Sequence, residues 1–144
     1  MYKVYISGAL TGKENLAEIK AFYESLGLLC EELRFSAYIP HLTTDPVSNP
    51  DITPRSVFET DKHQVSQANL VIAYIGSPSL GVGMELAYAE TNAIPVVLLY
   101  EKGSCVSRFP RGIPTVVAEI QFQDYADALI QLRNVLNQLN LFMS

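Results

Sequence analysis

The chain has 144 residues, of which 49% are apolar and 17% charged, and its formal net charge is −5. This length and composition predict one globular domain, residues 1–144, that buries a core without disulfides or a structural metal. The acidic balance excludes a protein that binds a nucleic-acid backbone through a basic surface. Two cysteines give no disulfide framework or zinc motif, and no apolar run reaches membrane-spanning length, so we expect a cytoplasmic protein.

Strands and helices alternate along the sequence. In chain order, the predicted elements are a strand at residues 3–7, a helix at 13–26, a strand at 37–42, a helix at 54–68, a strand at 70–75, a helix at 86–91, strands at 94–100 and 116–122, and a helix at 124–141. Gly27 is a plausible stop for the first helix, and Thr53 is a plausible cap for the second. Residues 43–54 hold three prolines, which predicts a loop long enough to be a functional flap.

This alternation predicts a three-layer α/β fold with helices on both faces of a parallel sheet. Five strands favour the flavodoxin-like order 2-1-3-4-5, in which the first and third strands end side by side. Ligands of such sheets bind at that switch point. The two glycine-bearing loops, SGALTGK and GSPSLGVG, follow these two strands and are therefore expected to line one cleft.

The second loop carries the more specific signal. Gly81 and Gly83 let a ligand approach backbone N–H groups at a helix N-terminus, and Ser79 adds a hydroxyl, which suits a phosphate or a sugar hydroxyl. Glu85 lies in or near the first helical turn, either as a reactive carboxylate or as a charge that complements the helix dipole. The first loop is not a Walker motif, because three residues separate its glycines where four are needed. It is either a binding loop or an ordinary strand-to-helix turn.

Other polar residues give weaker signals. Asp61 either faces the cleft or is a surface charge. The loop with Ser107, Arg108 and Arg111 is either an ordinary surface loop or an anion-binding edge of the cleft, in this subunit or a neighbouring one. Scattered histidines and cysteines make no ligand set, so we expect no metal and no cofactor.

Four segments together resemble a known family. The strand QANLVIAYI followed by SPSLGVGMELAYA resembles the nucleoside deoxyribosyltransferase superfamily, and most closely its 2'-deoxynucleoside 5'-phosphate N-hydrolase branch. The segments YISGALTG, FETDKHQVSQANLVIA and VSRFPRG resemble further motifs of that family and occur in the same order. The resemblance covers most of the chain.

The resemblance implies a homodimer with the flavodoxin-like fold that cleaves the N-glycosidic bond of deoxynucleoside monophosphates. It implies Glu85 as the nucleophile at the sugar C1', Asp61 as the group that assists the departing base or orients the nucleophile, and Tyr5 as a residue near the reaction centre. The substrate-binding residues that it implies are Ser7, Gly8, Ala9, Leu10, Thr11, Gly12, Ser79, Gly81, Gly83 and, acting from the partner subunit, Ser107.

One position departs from the family pattern. The family's first loop usually carries an arginine where this sequence has Thr11. The requirement for a 5'-phosphate therefore stays open, with an unphosphorylated nucleoside or a ribonucleotide as alternative substrates. A deoxyribosyltransferase that exchanges bases and a non-catalytic nucleotide-binding module are the alternative functions.

Overall fold

The computed structural model describes residues 1–10, 15–46 and 48–143. Thr11 and Gly12 of the predicted substrate loop lie outside the described residues. The strands are β1 (Lys3–Ser7), β2 (Ser36–Tyr38), β3 (Leu70–Tyr74), β4 (Val96–Glu101) and β5 (Val116–Phe122). The helices are α1 (Leu16–Glu32), α2 (His41–Thr44), α3 (Pro54–Ser66), α4 (Leu80–Thr91), α5 (Arg108–Arg111) and α6 (Tyr125–Met143).

The five strands form one parallel sheet in the order β2-β1-β3-β4-β5, which confirms the predicted flavodoxin-like topology. β1 lies directly beside β3, with Tyr5 opposite Val71 and Ser7 opposite Ala73. The loops that follow these two strands therefore start at neighbouring points on the same edge of the sheet. This edge is the switch point at which open α/β sheets bind ligands.

Two hydrophobic clusters pack against opposite faces of the sheet. Val4 and Ile6 belong to the cluster formed with α1 and α6, whereas Tyr5 belongs to the cluster formed with α3 and α4. Successive side chains of a strand point to opposite faces, so this division follows directly from the sequence of β1. It also places the polar end of Tyr5 on the face covered by α3 and α4.

The first helix is longer than predicted, because Gly27 does not end it. α1 continues through Gly27 to Glu32. A Cβ atom added at Gly27 would lie 2.6 Å from the Cδ1 atom of Ile39. The glycine therefore allows the helix to pack closely against the chain that follows β2, and the prediction of a helix stop at this position was wrong.

The segment after β2 also differs from the prediction. β2 ends at Tyr38 and the short helix α2 follows, where the sequence predicted a strand to residue 42. Asp45, only 2% exposed, is paired with Lys20 Nζ of α1 at 2.5 Å, and Ser48 donates a hydrogen bond to the same carboxylate at 3.2 Å. The start of the proline-containing loop is therefore tied to α1.

Helix α4 contains residues 86–91, which were predicted to be helical, and extends before them. It starts at Leu80, and Ser79 caps it by accepting a hydrogen bond from the N–H group of Val82 at 3.2 Å. Ser79 is a favourable capping residue because its oxygen pairs with an amide that has no partner inside the helix. Glu85 consequently lies in the second turn of α4 rather than the first.

Candidate active site

A cavity of about 400 Å³ lies between α3 and α4, beside the loops that follow β1 and β3. Its wall residues recur every three or four positions along both helices: Val57, Asp61 and Val65 from α3, and Gly81, Glu85 and Tyr88 from α4. This spacing puts each set on one face of its helix. The two carboxylates that the sequence singled out, Asp61 and Glu85, therefore line the same cavity.

Glu85 is half-buried and held by two hydroxyl groups from β1. Tyr5 donates a short hydrogen bond to its Oε2 atom, and Ser7 donates to its Oε1 atom at 3.0 Å. Burial removes water from the carboxylate and raises the pKa of Glu85 to about 8. The two donated hydrogen bonds favour the ionised form and oppose this effect of burial. Glu85 is thus a desolvated carboxylate whose two oxygens are fixed in place.

Asp61 has a parallel arrangement with different donors. Tyr38 donates to its Oδ1 atom at 3.1 Å, and Thr44 lies 3.3 Å from its Oδ2 atom. Burial raises the pKa of Asp61, while the hydrogen bonds from Tyr38 and Thr44 lower it. The cavity therefore contains two carboxyl groups in separate environments, and such pairs can divide acid, base and nucleophile roles between them.

The capped end of α4 forms another part of the cavity wall. Ser79 and Gly81 both line the cavity there. The Ser79 oxygen accepts from Val82, so its hydroxyl proton is free to be donated to a ligand. A Cβ atom added at Gly81 would have only the Ser79 hydroxyl within 4 Å, at 3.8 Å. Free amides and the helix dipole make this end suitable for an anionic or hydroxyl-bearing group.

The first loop has both structural and lining roles. Gly8 and Leu10 line the cavity. A Cβ atom at Gly8 would lie 2.2 Å from the ring of Tyr23, so close packing alone requires glycine at this position. Ala9 is buried, and its carbonyl oxygen accepts a hydrogen bond from the Tyr23 hydroxyl at 3.0 Å. The side chain of Ala9 is therefore part of the core, away from the cavity wall.

Two of the expected binding residues lie elsewhere. Gly83 and Ser107 line a separate groove of about 1090 Å³ on the other side of α4, and Ser79 lines both. The groove includes two strongly exposed apolar side chains, Leu80 at 91% and Phe109 at 89%. Within one chain, Gly83 and Ser107 are therefore not grouped with Glu85.

Arg111 is occupied by neighbouring groups. Its Nε atom donates to Glu119 Oε1 at 2.6 Å, and its guanidinium lies 5.9 Å from the ring centroid of Tyr100. Arg111 is not among the residues of either the cavity or the groove. Arg108, in contrast, lines the groove. Of the two arginines in this loop, Arg108 is thus the one available to an anion bound there.

Among the residues that sequence reasoning missed, Thr44 and Lys62 line the cavity and Tyr38 is hydrogen-bonded to Asp61. Tyr38 and Thr44 donate to Asp61, and Lys62 extends its ammonium group over the rings of Phe58 and Tyr88, with 5.4 and 5.0 Å between the Nζ atom and the ring centroids. Lys62 is exposed and also lines the cavity. The sequence did contain one signal for Tyr38: it is an aromatic residue with a polar hydroxyl at the end of β2, the strand next to β1.

Two kinds of feature are missing from the part of the chain that the structure describes. No group of three or more His, Cys, Asp or Glu side chains in residues 1–10, 15–46 and 48–143 is arranged to hold a metal ion. None of the helices in those ranges combines the length and apolar character needed to cross a membrane.

The structure is thus an α/β fold with a cavity at its switch point that is lined by two carboxyl groups. A protein of Thermofilum pendens with the provisional name 2'-deoxynucleoside 5'-phosphate N-hydrolase 1 is 34% identical over 115 residues, 77% of this chain and 78% of that protein. One of the same name from Syntrophotalea carbinolica is 28% identical over 145 aligned positions, 96% of this chain and 97% of that protein. No protein-family model matches the chain.

Solved structures share the fold. The CMP N-glycosidase of Clostridium botulinum has a TM-score of 0.69 and 20% identity, with 90% of this chain and 96% of that chain covered. At 20% identity this likeness shows a shared fold. The identity to the Thermofilum protein shows more: the chain belongs to the 2'-deoxynucleoside 5'-phosphate N-hydrolase family.

Proposed function

We propose that this protein is an N-glycosidase that hydrolyses nucleoside 5'-monophosphates to the free base and the sugar 5-phosphate. Family membership supports the reaction class. The observation that carries the proposal to particular residues is the shared cavity of Glu85 and Asp61, two carboxyl groups with separate hydroxyl donors. Cleavage of an N-glycoside passes through a state with positive charge on the sugar, which a carboxylate beside C1' stabilises.

Glu85 is the proposed nucleophile. An ionised Oε atom attacks C1', the C1'–N bond breaks, and its electron pair leaves with the base, which takes up a proton with the assistance of Asp61. Tyr5 and Ser7 hold the carboxylate so that its attacking oxygen keeps one direction. Water then attacks C1' of the glycosyl–enzyme ester and gives a proton to Asp61, the C1'–Oε bond breaks, and the sugar phosphate and the Glu85 carboxylate are released.

The capped end of α4 is the proposed site of the 5'-phosphate. The free hydroxyl proton of Ser79 and the backbone at Gly81 lie at one end of the cavity wall, one helical turn before Glu85. A phosphate at this end leaves the sugar over Glu85. The base then points toward Asp61, as the proton transfer requires.

The proposed working form is a homodimer in which Ser107 of the partner subunit contributes to the phosphate site. Within one chain Ser107 lies on the groove and apart from the cavity. The exposed side chains of Leu80 and Phe109 on that groove are apolar surface that a second copy would bury. Ser79 lines both the groove and the cavity, so a copy seated in the groove would lie next to the phosphate end.

A substrate panel tests the proposed activity. The protein is incubated separately with each deoxynucleoside monophosphate, with CMP, and with the corresponding unphosphorylated nucleosides, and free base is measured by chromatography. We expect base release from at least one monophosphate and at least ~10-fold lower kcat/KM for its nucleoside, since one charged contact is worth more than 1.4 kcal/mol. No base from any monophosphate would rule out the proposal. A second free base added to the reaction tests for base exchange.

The proposed location is the cytoplasm. In the described residues both cysteines are free, Cys30 buried and Cys105 exposed, which suits a reducing compartment. Microscopy of the tagged full chain in its source cell would test this, and secretion of the protein would contradict it.

A further inference from the structure

Two tyrosines on neighbouring strands serve the two carboxyl groups of the cavity. Tyr5 of β1 and Tyr38 of β2 are paired in the sheet register, and their rings stack with centroids 5.5 Å apart. The Tyr5 hydroxyl donates to Glu85, whereas the Tyr38 hydroxyl donates to Asp61 at 3.1 Å. Each carboxyl group thus receives one phenol from one of two adjacent strands, and the stacked rings fix the two phenols relative to each other.

Tyr38 is the principal donor to Asp61. The Thr44 hydroxyl lies 3.3 Å from Asp61 Oδ2 but also 3.0 Å from the carbonyl oxygen of Pro40. A threonine hydroxyl has one proton, so Thr44 divides its donation between two acceptors and the shorter contact is to Pro40. The phenol of Tyr38 is the more acidic donor and makes the shorter contact with Asp61.

We propose that Tyr38 is a positioning residue of the N-glycosidase reaction, which orients Asp61 toward the departing base and sets how readily Asp61 takes up and releases a proton. This inference rests on the proposed function. Burial raises the pKa of Asp61, and the hydrogen bond from Tyr38 lowers it. A group that exchanges a proton during turnover works best when its pKa is near the working pH, so these opposing effects matter for the rate.

Other ionisable groups lie on the elements around Asp61 and stay unchanged when Tyr38 is altered. Neighbouring α3 and α4 contribute charged and phenolic groups, β1 contributes a phenol, and α2 with the residue after it contributes a buried histidine and a paired aspartate. These groups are Lys62, Glu85, Tyr88, Tyr5, His41 and Asp45. A change in the titration of Asp61 after removal of one phenolic oxygen is therefore attributable to that oxygen.

The substitution Tyr38→Phe removes the donor and keeps a ring for the stack. We expect kcat to fall about 10-fold with KM within about 2-fold, and the limb of the pH–rate profile governed by Asp61 to move up by about one pH unit. The direction follows because loss of a donor to the ionised form raises a carboxyl pKa. Thr44→Val should move the same limb in the same direction by less. Tyr100→Phe, which removes a 3.1 Å hydrogen bond to Glu119, is the matched control and should change neither kcat nor the limb governed by Asp61.

A second measurement does not depend on catalysis. The side-chain carboxyl ¹³C resonance of Asp61, identified by its loss in Asp61→Asn, is titrated in the wild type, Tyr38→Phe and Thr44→Val without nucleotide. We expect the Asp61 midpoint to move up in both variants. An activity loss equal at every pH, with an unmoved Asp61 midpoint, would overturn the inference while leaving the N-glycosidase proposal intact. A different outcome is also distinguishable. If the wild type cleaves no monophosphate but Tyr38→Phe still moves the Asp61 midpoint, the N-glycosidase proposal is refuted, while the effect of Tyr38 on the titration of Asp61 is retained.

Discussion

The two sides of helix α4 differ in how complete they are within one chain. On the cavity side, Glu85 already has both oxygens hydrogen-bonded by Tyr5 and Ser7. On the groove side, Leu80 and Phe109 have their apolar side chains almost fully in solvent. Under the proposed function, one subunit holds the reactive carboxylate by itself, whereas the groove is the surface proposed to bind a second copy of the chain. Variants on the cavity side should therefore affect turnover directly, whereas variants on the groove side should affect dimer formation.

The largest expected effect is loss of activity on the cavity side. Glu85→Gln removes the proposed nucleophile and should lower kcat by about 10³-fold or more, with the dimer intact, as measured by base release and sedimentation. Glu59→Gln is the matched control, because the exposed Glu59 of α3 lines neither the cavity nor the groove, and it should retain activity. Near wild-type turnover in Glu85→Gln would contradict the assignment of Glu85 as the nucleophile.

On the groove side, Phe109→Glu places a charge on the exposed apolar surface. We expect monomers by sedimentation and base release lowered about 10–100-fold, because a charge buried at an interface without a partner is strongly unfavourable. Ile130→Glu introduces the same charge at a 63% exposed apolar position on α6 and should leave the dimer unchanged. A wild type that sediments as a monomer at assay concentration would contradict the role of the groove.

A smaller effect is expected from Tyr5→Phe. Loss of the phenolic donor raises the pKa of Glu85, which burial already raises to about 8, so the ascending limb of the pH–rate profile should move to higher pH and kcat near neutral pH should fall about 10-fold. The pH dependence of kcat/KM measures this shift. An unmoved ascending limb would show that Tyr5 does not control Glu85.

The proposed phosphate contact of Ser79 can be distinguished experimentally from its role as the cap of α4. Ser79→Ala should cost about 1 kcal/mol in the free energy of unfolding and raise KM for a nucleoside monophosphate several-fold. Thr53→Ala removes the equivalent cap of α3, where Thr53 accepts from Ser56 N–H at 3.1 Å, and should lower stability without raising KM. Equal KM values in the two variants would contradict a phosphate contact by Ser79.

The smallest expected effect is on stability. Because burial raises the pKa of Glu85 to about 8, the folded state holds a proton that the unfolded chain releases near its ordinary value, so stability falls as the pH rises from the unfolded pKa to about 8. Glu85→Gln removes this loss. We expect its Tm to equal that of the wild type at pH 4 and to exceed it by a few degrees at pH 8, by scanning calorimetry. A lower Tm at pH 8 would contradict the desolvated carboxylate.

The fold was largely predictable, because buried strands, helix caps and alternation are local signals. Strand periodicity alone places Tyr5 on the face of the sheet opposite to Val4 and Ile6. Gly27 was misread, since its role depends on contact with Ile39, which lies across a helix–strand junction and is invisible to local patterns. Glu85 was identified by its glycine-rich neighbourhood and by resemblance, but its placement in the second turn of α4 required the helix start at Leu80.

The partners of the carboxyl groups were less predictable than the groups themselves. Tyr38 reaches Asp61 only because β2 pairs with β1 in the register that puts Tyr38 opposite Tyr5. Thr44 reaches it because residues 41–44 form a helix, where the sequence predicted the end of a strand at residue 42 and the start of a loop at residue 43. Both contacts depend on how separate elements pack, and such information is not contained in any single segment of the sequence.

Covalent trapping on Glu85 tests the proposed chemistry most directly. The wild-type protein is mixed with its best monophosphate substrate, quenched in acid within the first turnover, digested, and examined by peptide mass spectrometry. We expect the peptide containing Glu85 to gain the mass of one sugar 5-phosphate, and the gain to be absent in Glu85→Gln. Attachment to a different residue, or single-turnover base release with the Glu85 peptide unmodified at every quench time, would contradict Glu85 as the nucleophile.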